Sequence, residues 1–314
     1  MGLSAGIDIG GTKIAAGVVD DHGRILAQQR LATGGRDAER VERAVSDLVL
    51  ALKVEYEIEA VGIGVAGFVD EKRSRVTFAP NLGWTDEPLR MAVESEVGVP
   101  VVVENDANAA AWGEYRFGAA RDQDNVVTIT VGTGIGAGVI LDGELYRGRW
   151  GAAAEMGHLC VEPGGRPCGC GNRGCWEQYA SGNALVREAR YLASERRDEA
   201  EVLLNLGDGT PEGVQGAHVT QAARAGDPVA LAAFDFVSRW LGHGLANVVA
   251  VLDPGYFVIG GGVSEAGDVL LAATVRAFTE EVTAREHRRL PSVAAATLGN
   301  AAGLVGAADL ARHR

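Results

Sequence analysis

The sequence lacks the long apolar runs and the excess of basic residues that whole classes of proteins need. No apolar run reaches the ~18–20 residues of a membrane-spanning helix. Only 29 lysines and arginines stand against 42 aspartates and glutamates, which gives a formal net charge of −13. Phosphate neutralisation by basic side chains supplies most of the affinity for nucleic acids. We therefore expect neither a membrane nor a nucleic acid as a partner.

Cysteine is also scarce, and all four cysteines lie between residues 160 and 175. The N-terminus lacks the basic lead-in and the cleavage site of a signal peptide, so we expect a cytoplasmic protein with reduced thiols. A cysteine cluster in a reducing compartment is more typical of a metal site than of disulfides. A chain of 314 residues is long enough for about two domains.

Glycine, in contrast, is abundant, with 44 residues, roughly twice the usual frequency. Three predicted strands end in glycine-rich turns, at 10–11, 132–134 and 260–262. Such a turn can present several backbone N–H groups to an anion, although ordinary hairpin turns and a strand-to-helix turn are the simpler interpretations. The repetition predicts two related halves, each with a phosphate loop.

The apolar pattern alternates between strand and helix periods. Short β-branched runs at 3–9, 61–65 and 99–103 are typical of buried strands, whereas the spacing over 41–52 indicates an amphipathic helix. This alternation predicts an α/β fold with a mixed sheet. Residues 194–216 are charged and irregular, and we expect a surface excursion there.

Glu104-Asn105-Asp106 follows a predicted buried strand, at the edge of the sheet where open α/β folds bind their ligands. A phosphoryl-transfer enzyme needs a carboxylate that takes the proton of the acceptor hydroxyl. Asp106 fits that base, and Asn105 could orient the same substrate. Both residue types are also preferred helix N-caps, a role that is compatible with catalysis.

Four residues of one glycine-rich segment offer the nitrogen and sulfur donors of a closed tetrahedral zinc site: His158, Cys168, Cys170 and Cys175. A set of four cysteines, with Cys160 in place of His158, is the alternative. Four protein donors leave no position for water, so this zinc is predicted to be structural. Glu155 and Glu177 bracket the segment, either as surface carboxylates or as hydrogen-bond acceptors for sugar hydroxyls.

Together these segments resemble the ROK family of sugar kinases and related repressors, and most closely its bacterial glucokinases. The match runs in the family's order along nearly the whole chain, through 8–13, 79–84, 104–109, 132–136, 155–158 and 168–177. The resemblance implies an actin-like ATPase (ribonuclease H-like) fold, with two α/β domains around a ligand cleft. The smaller domain would comprise 1–108 plus about 301–314, and the larger, with the zinc-binding loop, 109–300.

The resemblance also implies roles for site residues. Asp106 would deprotonate the 6-hydroxyl of the sugar, and Asp8 would position Mg²⁺ through water. The residues expected at the sugar are Gly67, Asn81, Asn105, Asp106, Glu155, His158 and Glu177. Those expected at ATP and Mg²⁺ are Asp8, Gly10, Gly11, Thr12, Lys13, Gly132, Thr133, Gly134, Gly261 and Gly262. Zinc would bind His158, Cys168, Cys170 and Cys175, and members of the family are commonly dimers or tetramers.

The activity implied is the ATP-dependent phosphorylation of glucose to glucose 6-phosphate. The alternatives are a kinase for N-acetylmannosamine, mannose or fructose, a glucokinase that uses polyphosphate, or a sugar-sensing regulator without catalysis. Repressors of the family carry an N-terminal helix-turn-helix domain, whereas the ATP loop here begins at Asp8, which favours a kinase. Motifs shared across the family do not separate the sugars.

Overall fold

The structure, a computed structural model, describes residues 2–33 and 35–313. By backbone contacts the chain divides into two compact units. The first unit comprises Met1–Thr128, Ala137–Ala154 and Thr297–Arg314, and the second comprises Ile129–Gly136 and Glu155–Ala296. The domain division expected from the sequence, with its boundary at residue 108, stays a prediction.

The strands of the described residues include both long central strands and short peripheral ones. They are β1 (Leu3–Ile9), β2 (Lys13–Val19), β3 (Ile25–Ala32), β4 (Ile58–Val65), β5 (Phe68–Val69), β6 (Val76–Ala79), β7 (Trp84–Glu87), β8 (Val101–Asn105), β9 (Val126–Val131), β10 (Ile135–Leu141), β11 (Glu144–Leu145), β12 (Tyr256–Gly260) and β13 (Ser292–Ala295). The first unit contains a five-stranded sheet of order β3-β2-β1-β4-β8 and an antiparallel three-stranded sheet, β5-β6-β7.

The five-stranded sheet is mixed, as the sequence predicts. Strand β1 pairs antiparallel with β2 and parallel with β4, and β4 pairs parallel with β8. The register places Asp8 beside Gly64 and Gly64 beside Glu104. Because these three strands run in the same direction, their carboxyl ends meet at one edge, where open α/β sheets bind ligands.

The α-helices vary in length from one turn to seven. They are α1 (Ala38–Lys53), α2 (Leu89–Val97), α3 (Asp106–Phe117), α4 (Glu177–Ala180), α5 (Gly182–Glu195), α6 (Glu201–Leu206), α7 (Gly216–Arg224), α8 (Pro228–Leu252), α9 (Asp268–Glu281) and α10 (Ala302–Arg312). None of the helices in the described ranges is both long and apolar enough to span a bilayer.

Helix α10 packs directly on the sheet of the first unit because glycine allows a close approach. A Cβ atom added to Gly62 in β4 would lie 1.7 Å from the carbonyl oxygen of Ala307, and one added to Gly6 in β1 would lie 2.0 Å from that of Leu304. Any larger residue would therefore push the helix away from the sheet. This packing brings the first turn of α10 to the carboxyl edge.

Helix α8 is the longest helix of the second unit, and its start is set by local chemistry. Pro228 occupies the first turn, and the side chain of Asp227 accepts hydrogen bonds from Val229 N at 3.0 Å and Ala230 N at 2.9 Å. Proline and aspartate are preferred at these positions, since proline has no N–H to satisfy and the carboxylate caps the free N–H groups.

The irregular excursion predicted for residues 194–216 is wrong in part. This segment contains α6, whose Leu203 and Leu204 are buried. Leu203 N donates to Asp227 Oδ2 at 3.0 Å, so the residue that caps α8 also holds α6. Helix α6 was not recognised in the sequence because the segment is rich in charged residues and the helix buries only two apolar side chains.

Candidate active site

The candidate base, Asp106, is the first residue of α3, directly after β8. Asn105 is the N-cap, and its Oδ1 accepts from Asn108 N at 3.0 Å. Asp106 is half-buried, and its Oδ1 accepts from Ala107 N at 2.9 Å. Burial raises the pKa of Asp106 above its usual range. A carboxylate with a raised pKa is better suited to accept a proton.

The residues around Asn105 belong to the same end of the first unit. Asn105 Nδ2 donates to the carbonyl oxygen of Gly67 at 3.1 Å. Gly67 lies so close to β6 that a Cβ atom there would be 2.7 Å from the carbonyl oxygen of Phe78. Asn81 is exposed, and its Cβ would lie 3.9 Å from a Cβ atom at Gly11. The structure thus brings Gly67, Asn105 and Asp106 together, and places Asn81 beside the first glycine turn.

The first glycine turn connects β1 to β2 as a tight hairpin. Gly10 N donates to the carbonyl oxygen of Lys13 at 3.0 Å, and Thr33 Oγ1 donates to that of Gly10 at 2.8 Å. Gly11, Thr12 and Lys13 are exposed. Hydrogen bonds to its backbone therefore fix the turn, while the hydroxyl group of Thr12 and the ammonium group of Lys13 are accessible to a ligand.

Asp8 is a second carboxylate at this edge, near the end of β1. The pKa of Asp8 is raised to about 6 by burial and by the like charge of Asp106, while Lys13 partly offsets the increase. The first turn of α10 lies against both aspartates, because a Cβ atom on Gly303 would be 3.9 Å from Asp8 Cγ and from the carbonyl oxygen of Asp106. Two carboxylates that repel each other favour a cation nearby.

The raised pKa of Asp8 predicts a pH-dependent cost to stability. An acid whose pKa is higher in the folded state destabilises that state as the pH rises from 3.8 to about 6. We expect Asp8→Asn to raise the free energy of unfolding at pH 8 by about 1–2 kcal/mol, since partial exposure screens the effect. Urea denaturation should show this gain shrinking toward pH 4. An equal gain at both pH values would contradict the assignment.

The second unit gathers four nitrogen and sulfur donors. The side-chain donor atoms of His158, Cys168, Cys170 and Cys175 all lie within 4.8 Å of one another. The distance from Cys168 Sγ to His158 Nδ1 is 3.6 Å, and that from Cys170 Sγ to Cys175 Sγ is also 3.6 Å. A tetrahedron with zinc bond lengths has edges of about 3.6–3.8 Å between such donors. The donor set and its spacing therefore fit a tetrahedral zinc ion.

Cys160, the alternative donor, lies outside this cluster. Its side chain is exposed, and its Sγ faces the carbonyl oxygen of Arg173 at 3.8 Å. Its backbone forms an isolated bridge with Cys175. Of the two donor sets compatible with the sequence, the structure assembles the one that contains His158.

Glu177 contacts both the cysteine cluster and the second glycine turn. Its Oε1 accepts from Cys168 Sγ at 3.0 Å, and a Cβ atom on Gly134 would lie 2.5 Å from its Oε2. Glu155 is exposed, and its carbonyl oxygen accepts from His158 N at 3.1 Å. The carboxylate of Glu177 therefore lies at the cluster, whereas Glu155 is tied to it by a backbone hydrogen bond to His158.

The segment that carries the cluster is packed on α8. Trp176 is fully buried, and its Nε1 donates to the carbonyl oxygen of Trp240 at 2.7 Å. The rings of Tyr179 and Trp240 lie 4.6 Å apart, and Tyr179 Oη accepts from Arg166 N at 2.8 Å. A loop without regular structure is thus held by aromatic packing on one side.

A cavity of about 720 Å³ opens beside the second glycine turn. It is formed by the turn, the first residues of α5, one face of α7 and the segment after β12: Gly132, Thr133, Gly182, Asn183, Leu185, Val186, Gly216, Ala217, Thr220, Gln221, Arg224, Gly262, Val263 and Glu265. Its volume is in the range of pockets that bind drug-sized ligands. The cavity therefore has room for a nucleoside.

Close backbone contacts explain the glycines at this cavity. Gly182 N donates to the carbonyl oxygen of Gly132 at 2.7 Å. Gly261 has a φ of 84°, and a Cβ atom there would lie 2.5 Å from the carbonyl oxygen of Val131. Helices α5 and α7 also line this cavity, and neither contribution was predicted from the sequence. Gly182 and Gly216 mark the starts of the two helices but do not by themselves indicate a cavity.

Comparison with known proteins places these features in context. The family model described as ROK family matches residues 4–314. A glucokinase from Streptomyces coelicolor is 52% identical over 313 residues, which cover 100% of this chain and 98% of that protein. The crystal structure of a ROK family glucokinase from Streptomyces griseus, in complex with glucose and AMPPNP, is 54% identical, with a TM-score of 0.93 and full coverage of both chains. A ROK hexokinase from Thermus thermophilus is 38% identical, with a TM-score of 0.78 over 99% of this chain and 98% of that one.

Proposed function

The chain belongs to the ROK family, and from that premise we propose that it is a glucokinase, which transfers the γ-phosphoryl group of ATP to the 6-hydroxyl of glucose. The observation that carries this proposal is the full-length likeness to a glucokinase that holds glucose and AMPPNP. Asp106 directly follows β8, and phosphoryl transfer requires a general base at the acceptor hydroxyl.

Asp106 acts as the general base in this proposal. As O6 of glucose attacks the γ-phosphorus, its proton passes to the carboxylate of Asp106, the bond from phosphorus to the bridging oxygen breaks, and ADP leaves. Burial raises the pKa of Asp106, which favours acceptance of that proton. Asn105, held by Gly67, orients the hydroxyl.

Two glycine turns are proposed to bind phosphate, and one cavity is proposed to bind the nucleoside. In the first unit the turn over Gly10, Gly11, Thr12 and Lys13 offers N–H, hydroxyl and ammonium groups to phosphate oxygens. In the second unit Gly132, Thr133 and Gly134 do the same, and the cavity bounded by Gly261 and Gly262 takes the nucleoside. Mg²⁺, when bound, neutralises charge on the phosphates, and Asp8 holds it through water.

A structural zinc ion on His158, Cys168, Cys170 and Cys175 fits the donor geometry. Its role in the proposal is to fix the segment that carries Glu155 and Glu177. The residues proposed to contact glucose are Gly67, Asn81, Asn105, Asp106, Glu155, His158 and Glu177. The carboxylates accept hydrogen bonds from sugar hydroxyls, and His158 donates one through the ring N–H that the metal does not use. We further propose a cytoplasmic homodimer or homotetramer.

The deciding experiment is ADP release by the purified protein with Mg²⁺ and ATP, across glucose, mannose, N-acetylmannosamine and fructose. We expect glucose to give the highest kcat/KM by at least about tenfold. Preference for another of these sugars would keep the mechanism and change the substrate. If no sugar causes ADP release, and polyphosphate as donor yields no glucose 6-phosphate, the assignment as a kinase is contradicted. The sugar-sensing regulator without catalysis is then the remaining alternative.

A further inference from the structure

Glu104, which directly precedes Asn105, is a buried carboxylate between two arginines. Its side chain is 1% exposed. Its Oε2 lies 2.7 Å from Arg147 Nε and 3.1 Å from Arg73 Nε. A buried carboxylate is costly unless it is paired and hydrogen-bonded, so this one must be held by its surroundings.

The other carboxylate oxygen of Glu104 ties the end of β8 to the first turn of α3. Glu104 Oε1 accepts from Asn105 N at 2.9 Å and from Asn108 Nδ2 at 3.1 Å. Asn108 N in turn donates to Asn105 Oδ1 at 3.0 Å. Glu104, Asn105 and Asn108 thus form a closed ring of hydrogen bonds that links the residues on either side of Asp106.

The two arginines are themselves fixed by the backbone of the first unit. Arg147 donates to the carbonyl oxygens of Asp70 at 2.9 Å and Glu71 at 3.2 Å. The carbonyl oxygen of Arg73 accepts from Val103 N in β8 at 3.0 Å. The carboxylate of Glu104 therefore lies between two arginines that contact the 70–73 segment: Arg147 bonds its carbonyl oxygens, and Arg73 belongs to it.

We propose that Glu104 is a positioning residue for phosphoryl transfer, because its carboxylate fixes the strand-to-helix junction from which Asp106 reaches the acceptor hydroxyl. The inference rests on the proposed function. A misplacement of about 1 Å at a reacting group can lower a rate by about 100-fold. The need for a rigid junction at this point would therefore explain why an ion pair is buried here despite its free-energy cost.

Glu104→Gln tests the proposal, with Glu114→Gln as its matched control. Glu114 lies on α3, is equally buried at 1%, and accepts from Ala119 N at 2.8 Å and Leu298 N at 2.7 Å, away from the junction. We expect Glu104→Gln to lower kcat for glucose by about 10- to 100-fold with KM for ATP within about twofold. Glu114→Gln should lower the melting temperature and keep kcat.

The assays are run well below the lowest melting temperature, with glucose-binding stoichiometry measured by calorimetry to count folded sites. A kcat for Glu104→Gln within twofold of the unsubstituted protein, or an equal loss in Glu114→Gln, would overturn the positioning role. Should Glu104→Gln fail to fold, Arg147→Lys takes its place, and retention of kcat there would overturn the proposal. Absence of turnover in the unsubstituted protein would instead contradict the proposed function.

Discussion

Asp106→Asn is expected to lower kcat for glucose by about 10³-fold or more, with KM for glucose and ATP changed by less than about threefold. The amide keeps the size of the side chain and can still accept from Ala107 N. It cannot take a proton from the attacking hydroxyl. A loss in kcat without a loss in binding is the signature of an interaction made only in the transition state.

The matched control for this substitution is Asp142→Asn. Asp142 lies in the two-residue turn between β10 and β11 of the first unit, with a φ of 51° that asparagine also adopts readily. Steady-state kinetics of the two variants, with glucose binding measured by calorimetry, separate loss of the base from loss of the fold. A kcat for Asp106→Asn within tenfold of the unsubstituted protein would assign the base to another group.

The elements that could be predicted from the sequence are those whose signals are local. Strand β1 begins and ends at the predicted residues, Leu3 and Ile9, because its apolar run is bounded by a glycine turn. Helix α8 (Pro228–Leu252) has signals of the same local kind, because a capping aspartate, a proline in the first turn and apolar spacing agree. The α/β class and the actin-like ATPase fold are confirmed by the strands and helices and by the likeness to ROK sugar kinases.

The parts of the candidate site that escaped prediction depend on tertiary neighbours. No pattern in the sequence places one face of α7 at the cavity proposed for the nucleoside. The residues of α7 have only the spacing of an ordinary amphipathic helix, and they line the cavity because the fold brings Gly132 beside Gly182. Similarly, the two arginines at Glu104 lie 31 and 43 residues away along the chain. Short β5, β6 and β7 carry too few residues for a period to be recognised.

The candidate metal donors show a third situation, in which the sequence leaves two sets of four possible donors and the structure brings one of the two sets together. His158 and Cys160 are only two residues apart, and either could complete a set of four. His158 belongs to the short 3₁₀ turn at Met156–His158, and its imidazole lies beside Cys168, whereas Cys160, after the turn, faces Arg173. The spacing alone could not reveal this, because it depends on the direction of the backbone.

Loss of the metal is the other large effect that we expect. Cys170→Ser should abolish zinc binding, lower the melting temperature by at least about 5 °C, and raise KM for glucose by at least about tenfold. The serine hydroxyl is nearly the size of the thiol, and Cys170 is exposed, so no cavity in the core accounts for the effect. The rise in KM is expected because Glu177, which we propose binds glucose, contacts Cys168 directly.

Cys160→Ser is the matched control, since Cys160 is equally a free, exposed thiol of the same segment but lies outside the donor cluster. Elemental analysis of the purified proteins should find one zinc per chain in the unsubstituted protein and in Cys160→Ser, and none in Cys170→Ser. A chelator should reproduce the Cys170→Ser phenotype in the first two and leave the third unchanged. Zinc lost from Cys160→Ser would favour the four-cysteine set. No metal in any of the three proteins would contradict the zinc site, and the segment would then be held by the packing of Trp176 and Tyr179 on α8.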